Sequence, residues 1–199
     1  MRKSKYLILN SFYFKFDTKL SKIISVNKSF NEQNILDLKR FNNMNFIQNY
    51  IFAKLKLNFI FLPKNIEKIE YCAFYSNQIK ILDLSNCIKL KNIELGAFEE
   101  NQIKQLKLPE NIEIIDEFAF YSNQIKILDL SNCIKLKNIE KHAFSDNPLN
   151  EIKILDDITI EYNNDKDDIW NTFAKYYNDN NKKAGDYKLE NNKWKWYPL

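Results

Sequence analysis

Glycine occurs only twice in the 199 residues, proline four times and histidine once. No Gly-rich phosphate loop, nucleophile elbow or metal-binding motif can be drawn from this supply. The three cysteines show no C-x-x-C spacing for zinc or redox work. No stretch approaches the ~18 consecutive apolar residues of a membrane span. The opening MRKSKYLILNSFYFKF breaks its apolar run at Asn10 and Ser11, so no signal peptide is visible and the chain as written reads as soluble and cytoplasmic. Net charge is also small: 30 basic residues nearly cancel 26 acidic ones, which leaves no electrostatic footprint for nucleic acid.

What is present is repetition. Residues 73–94 read AFYSNQIKILDLSNCIKLKNIE and return unchanged at 119–140, forty-six residues further on. Phenylalanine supplies a ruler, because Phe30, Phe52, Phe74, Phe98, Phe120 and Phe144 are 22, 22, 24, 22 and 24 residues apart. Eight residues after each stands Leu38, Ile60, Leu82, Leu106, Leu128 or Ile152, and thirteen after each stands Asn43, Asn65, Cys87, Asn111, Cys133 or Asp157.

In these columns IKILDLSNC and IKQLKLPEN both follow L-x-x-L-x-L-x-x-(N/C), with Ile allowed for Leu. Together with the phrases IEYCAF, IELGAF, IDEFAF and IEKHAF, the unit resembles the BspA-type leucine-rich repeats of bacterial proteins over residues 30–160. The resemblance implies an α/β-type solenoid with one short parallel strand per 22–24-residue turn. It also implies a non-enzymatic binding module, in a family often found at the cell surface. One departure is that Glu70, Glu94, Asp116 and Glu140 stand where such repeats often carry glycine.

The residue types in each column follow from that geometry. Ile79, Leu82 and Leu84 alternate around Ile81 and Asp83 as a half-buried strand does, and stacking strands ~4.8 Å apart builds a core that no single turn has. After the strand, Asn65 and Asn111 are placed to bond backbone groups at the corner, while Cys87 and Cys133 fill the same column as small buried thiols. These two cysteines lie two turns apart, ~10 Å by strand spacing, beyond the ~7 Å reach of a disulfide. The corner at Cys87 takes two residues more than the corner at Asn65, which accounts for 24 against 22 and makes the copied forty-six residues a pair of coils.

Three parts are expected: an N-terminal cap at 1–29, six turns at 30–160, and a helix and hairpin cap at 161–199. The helix starts at Asp167 or Asp168 and carries Ile169, Trp170, Phe173 and Tyr177 at helical spacing. The hairpin turns at Asn191 and Asn192, with Tyr187, Leu189, Trp194 and Trp196 alternating along it.

No catalytic residue, metal or cofactor is expected. His142 shares a column with Cys72, Gly96 and Phe118 and reads as an isolated, variable surface position. The acidic column is either a cation ladder or a set of carboxylates favouring the amides of a following helical turn. Glu67, Lys91, Glu113 and Lys137 alternate in sign and favour registration. A partner is expected at the outward strand positions, on the concave face: Asp37 and Lys39, Phe59 and Phe61, Ile81 and Asp83, Gln105 and Lys107, Ile127 and Asp129, Glu151 and Lys153. The candidate contacts are Phe59, Phe61, Ile81, Asp83, Gln105, Lys107, Ile127 and Asp129. Either these apolar side chains form a protein-binding patch, or they stand there because β-branched and aromatic residues favour strands or because a cap folds over them. Surface adhesion or glycan binding is the alternative function.

Overall fold

A computed structural model describes residues 34–163 and 168–199; the expected N-terminal cap and Phe30 lie outside them. Twelve short strands alternate between two parallel ladders. The first ladder holds β1 (Ile35–Asp37), β3 (Phe59–Phe61), β5 (Ile81–Asp83), β7 (Gln105–Lys107), β9 (Ile127–Asp129) and β11 (Glu151–Ile154). The second holds β2 (Phe46–Ile47), β4 (Lys68–Ile69), β6 (Asn92–Ile93), β8 (Ile114–Ile115), β10 (Asn138–Ile139) and β12 (Thr159–Ile160), bonded in one continuous sheet. Six strands per ladder give five full turns of a β-solenoid. The α/β-type expectation meets a different second side: among the described residues the repeats contain only strands and turns, and the one helix follows them.

The core is a set of columns running along the stack. Phe52, Phe74, Phe98, Phe120 and Phe144 stack face to face at centroid distances of 5.4, 5.2, 5.5 and 5.2 Å. Ala73, Ala97, Ala119 and Ala143 are fully buried beside them, as are Ile69, Ile93, Ile115 and Ile139 from the second ladder. The Ala column keeps each turn close enough for the next ring to lie flat on the last.

A buried asparagine ladder, which the sequence reading missed, lines the bend before the first ladder. Asn77, Asn101, Asn123 and Asn147 are each about 5% exposed. Asn123 shows the pattern: its Nδ2 donates to the carbonyls of Phe98 (3.0 Å) and Phe120 (3.1 Å), and its Oδ1 accepts from Ile103 N–H at 2.9 Å. One amide side chain thus ties two turns and satisfies backbone groups that the bend removes from any ladder. By contrast Asn65 and Asn111 sit nearer the surface and each donates to a carbonyl of the preceding turn, Asn42 and Ile88, at 2.8 Å. They do not share the buried site of Cys87 and Cys133, so the combined Asn/Cys column divides in two. Cys72, Cys87 and Cys133 are free and buried.

The first turn is shifted by two residues from the Phe30 count. Leu36, not Leu38, pairs with Ile60, and the outward residues of β1 are Ile35 and Asp37 in place of Asp37 and Lys39. The step from β1 to β3 is therefore a 24-residue step, and ILDL recurs at 35, 81 and 127, so the two-turn unit begins three times, the third time with its long step alone. First-ladder strands hydrogen-bond across these long steps, as β1–β3, β5–β7 and β9–β11. Across the short steps, β3 with β5 and β7 with β9, the strands lie side by side without a ladder. The long corner adds a second turn: Cys87 N–H bonds to Leu84 and Leu90 N–H to Cys87, whereas the short corner makes one turn from Pro63 to Ile66.

Glycine's scarcity has a visible consequence. Each repeat places two residues in the left-handed region, two before and two after the Phe, as at Cys72 and Ser76 (φ 50° and 53°) and at Phe118 and Ser122 (57° and 53°). Only Gly96 (φ 62°) is a glycine. The acidic positions, where glycine was expected, are not left-handed; the backbone demand lies two residues later, and L-residues meet it at a steric cost of ~1–2 kcal/mol each.

Beyond the last turn, α1 (Ile169–Asp179) is N-capped by Asp168, whose Oδ1 accepts Trp170 N–H at 2.9 Å. Trp170 continues the phenylalanine column, 5.0 Å from Phe144. The hairpin β13 (Gly185–Glu190) and β14 (Lys193–Tyr197) joins antiparallel to β11, and Asn191 and Asn192 both take positive φ in its two-residue turn. Tyr187 and Trp194 point inward onto Phe173.

Candidate functional site

The first ladder turns one side chain in and its neighbours out, so its outer face reads directly from the register. Every outward pair expected from β3 to β11 lies where the alternation puts it. Phe59, Phe61, Ile81 and Ile127 are 38%, 42%, 49% and 54% exposed, and Asp83, Gln105, Lys107 and Asp129 are exposed with them. Phe59 and Phe61 stand on one strand, with Ile81 on the next. Ile127 is separated from them by Gln105, so the apolar surface is one cluster of three with an outlier two turns away.

The aspartates at the strand ends have a local task. Asp83 Oδ1 accepts Ser85 N–H at 3.0 Å and the Ser85 hydroxyl at 2.5 Å, and Asp129 makes the same bonds to Ser131. Asp37 accepts Lys39 N–H at 3.0 Å. Each closes a turn that ends its strand. The hydroxyl of Ser85 holds the Asp83 carboxyl below its usual range, against a smaller opposing effect of burial, with Lys107, 4.0 Å away, adding to the depression. Lys39 lies 4.3 Å over the ring of Phe61 and covers part of it.

The acidic column runs along the second ladder and is longer than the sequence reading gave, since Glu161 continues Glu70, Glu94, Asp116 and Glu140. Burial first, then the neighbouring Glu94, pushes the Asp116 carboxyl up, and burial followed by Glu161 does so for Glu140. Backbone N–H groups of Glu117 and Leu95 oppose the rise at Asp116. Lys68 meets Glu94 at 2.6 Å. Among the described residues no group of three acidic, histidine or cysteine side chains is arranged to hold a metal. In the row of alternating sign, Lys91 and Lys137 flank Glu113 at 2.9 and 3.4 Å, while Glu67 meets Lys89, outside the row, at 3.9 Å.

His142 is not the isolated surface residue that its column suggested. Its ring stacks on Phe118 at 5.1 Å, Nδ1 lies 3.2 Å from the Ser145 hydroxyl, and Nε2 lies 3.0 Å from Asn163 Nδ2. It lines a cleft of about 770 Å³ with Tyr121, Gln124 and Asp168. Ser145 and Asp168 (4.0 Å) both approach Nδ1. A Ser-His-Asp relay needs them on opposite ring nitrogens, so the trio lacks that geometry.

A family model described as BspA type leucine rich repeat region matches residues 22–150 in six copies. The chain belongs to the BspA-type leucine-rich repeat family. A comparison with curated proteins gives no match. BspA-type repeats serve as protein-interaction or adhesion-type modules and are generally non-enzymatic. Among the described residues, no helix of this BspA-type chain is long and apolar enough to cross a membrane.

Proposed function

We propose that the chain is a non-enzymatic protein-binding module that uses the outer face of its first strand ladder, centred on Phe59, Phe61 and Ile81. The observation that carries the reading is the pair of half-exposed phenylalanine rings on one first-ladder strand, next to the exposed Ile81 of the following strand, whereas the stacked rings Phe52, Phe74, Phe98, Phe120 and Phe144 are buried. Covering the exposed remainder of each large apolar side chain is worth on the order of 1 kcal/mol, so the cluster offers a partner a compact apolar centre. The charged positions around it, Asp83 and Lys107, form a polar border of the kind that surrounds interface centres. The helix and hairpin at the C-terminal end act in this reading as a cover for the last turn, leaving the face of the ladder to the partner.

The test is capture of a partner from native lysate and envelope by the purified protein and by the Phe59→Asp/Phe61→Asp variant. Both charges land on an outward face, so the variant keeps its circular dichroism spectrum and loses the partner. Undiminished capture by a folded variant refutes this placement of the surface.

A further inference from the structure

Immediately before the outward residues Ile81, Gln105 and Ile127 stand Lys80, Lys104 and Lys126, one in each of three consecutive turns. All three are exposed, and none has an ion-pair partner among the described residues. Lys68, Lys91 and Lys107 are matched by Glu94, Glu113 and Asp83, and Lys64, Lys135 and Lys141 stand without an ion pair among the described residues, but Lys80, Lys104 and Lys126 occupy one column in three consecutive turns. Stacked turns are ~4.8 Å apart, a spacing at which like charges on neighbouring strands repel. The stack alternates charge at Lys91, Glu113 and Lys137, yet keeps one sign along this edge.

We infer that the partner of the first-ladder face is an acidic polypeptide segment, whose carboxylates meet Lys80, Lys104 and Lys126 while its apolar side chains cover Phe59, Phe61 and Ile81. This rests on the function proposed above and adds the chemistry of the ligand. Charge complementarity selects the occupant: a row of three uncompensated cations starts beside the apolar cluster at Ile81 and runs past Gln105 to Ile127, so a ligand needs carboxylates along one edge and apolar groups at the end that meets the cluster. Residues 1–33 of the chain itself carry seven basic and two acidic side chains and are poorly suited to that edge. A polyanion without apolar groups would meet the lysines and leave the rings uncovered.

The experiment measures fluorescence anisotropy of a short labelled peptide in which Glu alternates with Val. The proteins are the wild-type chain, Lys80→Glu/Lys104→Glu/Lys126→Glu, and Phe59→Asp/Phe61→Asp. Polyglutamate and phosphatidylserine vesicles serve as competing probes. The expected result is saturable binding below about 1 mM, weakened about tenfold or more by the lysine reversals and by added salt. The reversed protein should in turn prefer the matching peptide with Lys in place of Glu, which a merely unfolded variant cannot do. Absence of saturable binding, equal binding by the lysine variant, or tighter binding of polyglutamate or vesicles than of the peptide would each overturn the inference. If the lysine variant binds a captured partner normally while the phenylalanine variant does not, the proposed function stands and the acidic ligand falls.

Discussion

Replacing Asn123 by alanine should destabilise the protein by about 3 kcal/mol, although the residue touches neither proposed contact surface. The Ile103 N–H loses its only acceptor among the described residues, and an orphaned buried N–H costs ~1–3 kcal/mol. The Phe98 and Phe120 carbonyls each lose one of two amide donors but keep the other, from Asn101 and Asn147 at 3.2 and 2.9 Å. These shared bonds add ~0.5–1 kcal/mol apiece. For a chain of this size the melting temperature should fall by about 6–12 °C. Asn123→Asp retains the acceptor but turns carboxylate oxygens toward two carbonyls, so at pH 7 it should fall at least as far. The assay is urea unfolding followed by circular dichroism, with Asn132→Ala as the control, because Asn132 is exposed. A loss below about 1 kcal/mol, or one no larger than the control's, refutes the ladder as a stabilising element.

Deleting residues 73–118 removes one forty-six-residue unit and joins Cys72 to Ala119, preserving both the columns and the alternation of long and short steps; the product should melt cooperatively, at a lower temperature than the parent. Deleting only the 22 residues 97–118 joins Gly96 to Ala119 in phase but sets two long steps together, so it should melt lower still, and equal melting would count against the two-turn unit. Gly96→Ala should cost ~1–2 kcal/mol, because φ is +62° and the new Cβ meets Cys72 Sγ at 2.9 Å; an unchanged urea midpoint would contradict this. Burial, with a smaller contribution from a nearby aspartate, pushes the Cys87 and Cys133 thiols up to about 11 and about 12. The folded pKa is the higher one, so stability is fully present below the unfolded thiol range and is lost as pH rises from about 9 to about 11 for Cys87 and to about 12 for Cys133, by up to ~1.4 kcal/mol per unit for each thiol. Urea unfolding at several alkaline pH values under reductant should show this slope diminished in Cys87→Ala/Cys133→Ala, and an unchanged slope would argue that the thiols are not the cause.

The repeat and its outward face were legible in the sequence because a two-residue alternation fixes which side chains emerge, and Phe59, Phe61, Ile81 and Ile127 follow from it without further geometry. The phenylalanine ruler worked wherever the ring is an internal stacking unit. Counting eight from Phe30 misplaces the first strand by two residues, and the ILDL phrase at residue 35 is the better marker of its phase. The asparagine ladder carried a usable signal, an Asn three residues after each of Phe74, Phe98, Phe120 and Phe144. The signal is masked because the consensus polar position of the repeat is the Asn/Cys corner, and a polar residue within an SNQI phrase looks like ordinary loop. The second ladder was harder to see: strands of two residues are too short for a period to emerge, and only stacking on neighbours makes them strands. His142 illustrates the remaining limit, since its contacts with Asn163 and Asp168 come from chain that follows the repeats and cannot be inferred from its column.

The claim that the first-ladder face is where the partner sits is tested most directly by hydroxyl-radical footprinting of the protein with and without its captured partner. The account predicts that oxidation of Phe59 and Phe61 falls on binding, while Phe46 on the second ladder and Tyr197 on the hairpin react as before. Unchanged oxidation of Phe59 and Phe61, with protection at Phe46 or Tyr197, would contradict it.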